Sequence, residues 1–202
     1  MLQYFTVKPG TLELLKKLMA IPELSAFNLA GGTSMALQMG HRESVDLDLF
    51  GNCPFEPSEI LQSVSVCGKV TILHQTRNIL MLNIEGVKVD IVNYQYELLK
   101  EPQLTDELRL LSLEDISAMK LAAITGRGKK RDFFDLYFLM QKFSLSEIFG
   151  FYRKKYPEGN VWLVSRSITY FDDADNDLDI KPFDKTSWKA IKNHIVKAAE
   201  TL

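Results

Sequence analysis

The sequence predicts an α+β fold, a small mixed β-sheet with helices followed by a C-terminal helical bundle. Three observations carry this. Short apolar stretches with a period of two recur between Phe27 and Val92, and helical stretches separate them. After Asn93 that alternation gives way to helical periodicity for the rest of the chain. The length of 202 residues suits one large domain or two small ones, and 46% hydrophobic with 25% charged residues is ordinary for a globular protein. The change of character falls between residues 94 and 111, so the expected domains are 1–100 and 101–202.

Thr11 is a suitable N-cap for a helix through Leu12, Leu15, Leu18 and Met19, ended before Pro22. Phe27 to Ala30 reads as a buried strand, broken by Gly31-Gly32. Thr33 and Ser34 then open a short helix, Met35 to Met39. Val45 to Phe50 alternates apolar and acidic residues, the pattern of a strand with one polar face. Ser58 caps a helix from Glu59 to about Val66. Strands follow at Lys69–His74, Asn78–Glu85 and Val87–Val92, the last two forming a hairpin about Gly86. Tyr96 to Leu111 reads as a polar connection. Ser112 and Asp115 resemble a capping box for a helix from Leu113 to about Thr125. Gly126–Arg131 is a basic turn, and helices follow at Asp132–Lys142, Leu145–Tyr156, Val161–Phe171 and Ser187–Thr201.

The chemistry concentrates in Leu29-Ala30-Gly31-Gly32-Thr33-Ser34 and in His41–Phe50. Residues two apart on a strand point the same way, so Asp46 and Asp48 present two carboxylates on one face. Such a pair suits Mg²⁺, a hard cation that takes oxygen ligands and shares them with phosphates. The Gly-Gly turn ahead of a helix N-terminus offers backbone N–H groups to an anion. A phosphate cradle and a metal site in one short unit are what a nucleoside triphosphate requires. Asp90, on a later alternating strand with Lys88 on its own face, supplies a third acid if the two strands are neighbours. The plainer alternatives are separate surface acids, a tight turn and a helix cap. Arg42 either neutralises the acids or touches a phosphate, and His41 reads as a structural hydrogen-bonding residue.

Lys120 sits among apolar residues on its helix, so it must either snorkel to solvent or meet an anion, a phosphate being the functional choice. Arg127, Lys129, Lys130 and Arg131 make a charge cluster that is either a solvated loop or a contact for triphosphate or an RNA backbone. Asp132 and Asp135 share a helix face. Asp132 is a possible cap, and Asp135 a partner for a nearby base. Asp173, Asp175, Asp177 and Asp179 alternate like a calcium loop, but Leu178 stands where that loop needs Gly and Asp184 where it needs Glu, so an acidic surface loop is expected. No G-x-x-x-x-G-K-[ST], G-x-G-x-x-G or G-x-S-x-G occurs. Two cysteines, Cys53 and Cys67, outside any C-x-x-C pair, argue against zinc and a disulfide framework. A net charge of −2 gives no global basic field for nucleic acid. With neither a signal-like N-terminus nor an apolar run long enough to span a bilayer, the expectation is a cytoplasmic protein with no membrane partner.

Three blocks, GGTSMALQMGHRESVDLDLF, VKVDIV and KLAAITGRGKKRDFFDLYFL, resemble in content and order the nucleotidyltransferases of the AbiEii/AbiGii toxin family, within the DNA polymerase β-type superfamily. They cover roughly residues 27 to 140. The resemblance implies a nucleotidyltransferase core and transfer of NMP from an NTP to an acceptor hydroxyl. It gives Gly31, Gly32, Thr33 and Ser34 the phosphate-turn role, with Arg42 beside them. Asp46, Asp48 and Asp90 become Mg²⁺ ligands and catalytic acids, with Asp90 helping to deprotonate the acceptor. Lys120 and Asp132 match the two later catalytic motifs, supported by Arg131 and Asp135 in substrate binding. The implied acceptor is tRNA, other RNA or a protein, and the implied partner is a cognate antitoxin in a type IV toxin–antitoxin or phage-defence system. The rival expectation is a non-catalytic nucleotide-binding or protein-interaction module on the same fold.

Overall fold

The computed structural model describes residues 1–177, 180, 183 and 186–202. The chain forms two compact units, Met1–Glu97 with Glu101–Ser112, and Leu98–Lys100 with Leu113–Leu202. Residues 101–112 thus belong with the first unit rather than with the helices, and they are not a mere connection.

In the first unit α1 (Pro9–Met19) starts earlier than Thr11, because Pro9 occupies the first helical turn, where its missing N–H costs nothing. Thr11 is buried inside the helix alongside Leu14, Leu15 and Leu18. Then come β1 (Asn28–Leu29), α2 (Gly31–Met39), β2 (Leu47–Gly51), α3 (Pro57–Val64), β3 (Val70–Gln75), β4 (Ile79–Ile84), β5 (Val87–Asn93), β6 (Gln103–Thr105) and β7 (Leu108–Leu110). The strands form one sheet in the order β3-β4-β5-β2-β1-β7-β6. The β2–β5 and β1–β7 pairs are parallel and the others antiparallel, so the sheet is mixed. The β4–β5 hairpin turns through Glu85 and Gly86, both at positive φ (50° and 86°), the backbone a tight two-residue hairpin turn needs.

Burial alternates along β2, β4 and β5. One face sends Leu47, Leu49, Leu80, Leu82, Val89 and Ile91 into a core shared with Leu15 and Leu18 of α1 and Ile60 and Val64 of α3. Each such side chain contributes about 1.5–3 kcal/mol of transfer free energy. The opposite face carries the half-buried Asp48, Met81 and Asp90. At the far end Arg109 of β7 donates from its Nε and both terminal nitrogens to the carbonyls of Phe27, Met19 and Leu24, at 3.0, 2.9 and 2.9 Å. Burial lowers its pKa. The Tyr4 hydroxyl donates at 2.5 Å to Asp106 in the β6–β7 turn. Desolvation, with the bond to and charge of Asp106, pushes this phenol up to about 12.

The second unit contains α4 (Leu113–Arg127), α5 (Lys130–Leu139), α6 (Leu145–Lys155), α7 (Val161–Ser167), α8 (Asp172–Asp175) and α9 (Trp188–Ala199). Ser144 and Glu147 close a capping box on α6, while Asn160 and Ser187 cap α7 and α9. The helix expected to run to Phe171 stops at Ser167 and restarts as α8. Asp115 does more than a cap would. It is fully buried, accepts from the backbone N–H of Leu99 at 3.0 Å and of Lys100 at 3.3 Å, and takes Lys155 Nζ at 2.7 Å. Asp173 and Asp175 lie in α8 rather than in a surface loop, and Asp175 accepts from Trp188 Nε1 at 2.6 Å and Lys192 Nζ at 2.8 Å. Leu178, Asp179 and Asp184 of the acidic run lie outside the described residues. Among those described, no helix is long and apolar enough to cross a membrane.

Candidate active site

The parallel pairing of β2 with β5 sets Asp48 directly opposite Asp90. Facing residues on neighbouring strands share a side of the sheet, about 4.8 Å apart along the hydrogen-bonding direction. Two carboxylates that are 42 residues apart in sequence therefore stand side by side on the sheet face away from the core. Asp46, also half-buried, lies one residue ahead of β2. The strand begins later than its alternation predicts because α2 engages the backbone there. The Thr33 hydroxyl donates to the Asp46 carbonyl and lies 2.8 Å from the Ser44 hydroxyl.

The Gly-Gly turn has two separate reasons to be glycine. Gly31 has φ of 65°, a left-handed backbone, and a Cβ there would press into the Asp48 carboxyl, with Cγ only 2.9 Å away. A Cβ on Gly32 would strike the Arg42 guanidinium. Arg42 is buried, and its Nη1 donates to the Glu43 carbonyl at 3.0 Å. Helix α2 begins at Gly31 itself, earlier than Met35, with Ala30 as a cap that makes no side-chain bond. The Ala30 N–H bonds to the Asp48 carbonyl at 2.8 Å, tying the turn to the acid-bearing strand. Thr33 and Ser34 are buried. Ser34 accepts from Gln38 Nε2 at 3.1 Å, so both hydroxyls serve the turn's own structure.

Asp90 is held on one side. Its Oδ2 pairs with Lys88 Nζ, whereas its buried Oδ1 has no hydrogen-bond partner among the described residues. No group of three or more His, Cys, Asp or Glu is arranged among the described residues to hold a metal by itself. The donor chemistry nevertheless fits Mg²⁺, which is commonly held by one or two carboxylates with substrate phosphates completing the shell. Asp48 and the unanswered Asp90 oxygen are hard oxygen donors of that kind.

The second unit assembles the later motifs into one charged cluster. Lys120 Nζ lies 3.1 Å from Asp132 Oδ1 and 2.6 Å from Asp135 Oδ2, and both carboxylates are fully buried. Arg127 grips Asp132 with two bonds, Nε to Oδ2 at 2.8 Å and Nη2 to Oδ1 at 2.9 Å, the bidentate geometry peculiar to arginine. Burial alone would raise the Asp132 carboxyl, but the Lys120 charge and the Arg127 bond and charge outweigh it and hold it below its ordinary value. Lys120 therefore does not snorkel, and Asp132 does not cap α5, whose N-cap is Lys129. The basic turn shrinks accordingly. Lys130 is buried, with Nζ donating to the Asp177 carbonyl at 3.0 Å, and Arg131 is half-buried in the first turn of α5. Sequence reasoning missed Ser44, and it noted Lys88 without giving it a partner. The signal for Lys88 was present in Lys88-Val89-Asp90, a period-two pairing of opposite charges.

The family model for the AbiEii nucleotidyl transferase toxin of type IV toxin–antitoxin systems matches residues 13–76 and 69–201. The chain belongs to the AbiEii nucleotidyltransferase toxin family. It is a nucleotidyltransferase. An uncharacterized protein of Aquifex aeolicus (strain VF5) is 34% identical to it over 179 residues, covering 85% of this chain and 87% of that one. This AbiEii-family fold is also similar to MenT4, a nucleotidyltransferase toxin of Mycobacterium tuberculosis H37Rv, with a TM-score of 0.60 at 14% identity over 96% of this chain and 86% of that one. A candidate nucleotidyltransferase of Helicobacter pylori gives a TM-score of 0.61 at 17% identity over 96% and 95%. At those identities the likeness is one of fold. The matched segments of the AbiEii model contain every site residue singled out above, from Gly31 to Asp135.

Proposed function

We propose that this AbiEii-family enzyme transfers NMP from an NTP to an acceptor hydroxyl, using Asp48 and Asp90 as the acids that hold Mg²⁺ with the substrate phosphates, and Asp46, one residue ahead of β2, as the acid that joins them only once substrate and metal are bound. The observation that carries this is the facing of Asp48 and Asp90 across β2 and β5, with the Gly31 backbone packed against the Asp48 carboxyl. The triphosphate lies against the N-terminus of α2. There the first N–H groups of a helix have no intrahelical partner, and Gly31 and Gly32 present nothing bulkier than hydrogen. Thr33 and Ser34 serve that turn through its shape, and Arg42 adds positive charge behind Gly32. Mg²⁺, when bound, supplies Lewis-acid charge to the phosphoryl oxygens. Asp90 takes the proton of the attacking hydroxyl at a carboxylate oxygen. The hydroxyl oxygen bonds to the α-phosphorus in line as the bond to the pyrophosphate leaving group breaks.

Lys120 is assigned to balancing triphosphate charge. An ammonium has three N–H donors, and Asp132 and Asp135 engage two of them. Arg131 is assigned to the substrate alongside it. The acceptor is taken to be RNA, the 3′ end of tRNA foremost, with protein as the competing class. The enzyme is taken to act as the toxin of a type IV system in the cytoplasm, restrained by a cognate antitoxin. Family membership supports that biological role.

The test is to incubate wild type and Asp48→Ala with each α-labelled NTP, Mg²⁺, and either total RNA or total protein. Wild type should label the RNA fraction. Loss of one ligand from a charge-stabilising ion, worth about 4 kcal/mol, should cut labelling by the variant roughly a thousandfold. Equal labelling by a folded variant overturns the site, and labelling of protein alone overturns the acceptor.

A further inference from the structure

The Asp90 carboxylate already has a cation. Lys88 precedes it by two residues on β5, so both side chains leave the same face of the strand. The Lys88 ammonium pairs with Asp90 Oδ2. The other oxygen, Oδ1, is buried and unanswered among the described residues, a costly state for an ionised group. Asp48 stands opposite Asp90 on β2, so the carboxylate that Lys88 pairs with has a second carboxylate beside it. The pair is unequal in mobility. The Asp90 side chain is 14% exposed and set in the sheet, whereas Lys88 is 37% exposed on a flexible four-carbon stem. An ammonium of this kind is a point charge that can leave for water, unlike a forked guanidinium gripping both oxygens.

We propose that Lys88 is the resident counter-ion of Asp90, occupying the carboxylate until a divalent cation displaces it, so that lysine and metal compete for the same oxygens. The inference rests on the metal-binding reading of Asp48 and Asp90. It adds a positioning residue that sets how tightly this site takes metal. It also accounts for the half-satisfied carboxylate. Lys88 answers one oxygen beside Asp48, and a metal that takes the carboxylate engages the second oxygen as it displaces the lysine from the first.

The experiment counts bound Mn²⁺ by electron paramagnetic resonance, in the absence of nucleotide, for wild type, Lys88→Met, Lys88→Gln, Lys88→Arg and Asp48→Asn, with thermal melting of each. Removing one positive charge at contact distance from the ligand should tighten Mn²⁺ binding by Lys88→Met and Lys88→Gln about tenfold. Lys88→Arg should bind no tighter than wild type, and Asp48→Asn should bind far more weakly. Unchanged or weaker binding by both folded neutral variants, with Asp48→Asn still impaired, overturns the role of Lys88 and leaves the metal site standing. Equal binding by wild type and Asp48→Asn, or none by either, overturns the metal reading and the Lys88 proposal with it. If one neutral variant does not fold, the other decides.

Discussion

At the scale of single residues, the site depends on what glycine omits. Gly31→Ala forces a side chain into a left-handed backbone, at a cost of about 1–2 kcal/mol, and drives its methyl into the Asp48 carboxyl. The expected outcome is a fall in melting temperature of several degrees and a loss of nucleotidyl transfer approaching that of Asp48→Ala. Gly32→Ala should displace Arg42 while leaving Asp48 in place, so transfer should fall less. Melting curves and labelling rates measured together on the two variants check this. Asp132 offers a second residue-scale test. Asp132→Asn breaks a buried pair and should destabilise by about 3–5 kcal/mol near neutrality. Because the folded-state pKa lies below the ordinary 3.8, the stabilisation is fully present above that value and is lost as pH falls through the folded pKa. The stability gap between wild type and Asp132→Asn should therefore narrow as pH drops below about 4, which denaturant titrations across the acid range would show.

At the scale of elements, strands with clear alternation were legible and short ones were not. The runs at Val45–Phe50 and Val87–Val92 declare β2 and β5, and the opposite-charge spacing at Lys88 and Asp90 is visible in the letters. No letter declares that β2 and β5 are parallel neighbours in register, because pairing of strands far apart in sequence leaves no local trace. The strands β6 and β7, three residues each, are too short for a period of two to register, so Gln103–Leu110 reads as polar connection. Their hold comes from single side chains. Arg109 bonds three carbonyls that end α1 and precede β1, and removing it strands all three. Arg109→Met should cost about 3 kcal/mol, since each abandoned buried acceptor costs about 1–3 kcal/mol and relaxation recovers part. Hydrogen exchange should rise first at β1, β6 and β7 and least at β4. The charged cluster of α4 and α5 was half legible. Lys120, Asp132 and Asp135 stood out by type, but the sequence alone could not decide between a phosphate ligand and an internal ion pair.

At the scale of the whole molecule, a sequence boundary at residue 100 separates β6 and β7 from the sheet they complete. A fragment of residues 1–100 should show weak, non-cooperative melting by circular dichroism, lacking Arg109 and the strand beside β1. A fragment of residues 1–112 keeps both and should melt more cooperatively. Equal melting of the two would show that β7 contributes little. The division into a sheet-bearing first unit and a helical second unit was readable from the change of periodicity after Asn93. The place of the boundary was not, because Asp115 draws Leu99 and Lys100 to the helical unit by their backbone N–H groups. That capture has a consequence for inheritance. The chain passes between its units three times, at 97–98, 100–101 and 112–113, where a tandem arrangement would pass once. No single crossover between genes can exchange one unit and leave the other whole. A crossover at 112–113 would exchange every helix from α4 to α9 yet leave Leu98–Lys100 behind, so the buried Asp115 of one parent would have to accept the backbone N–H groups of the other.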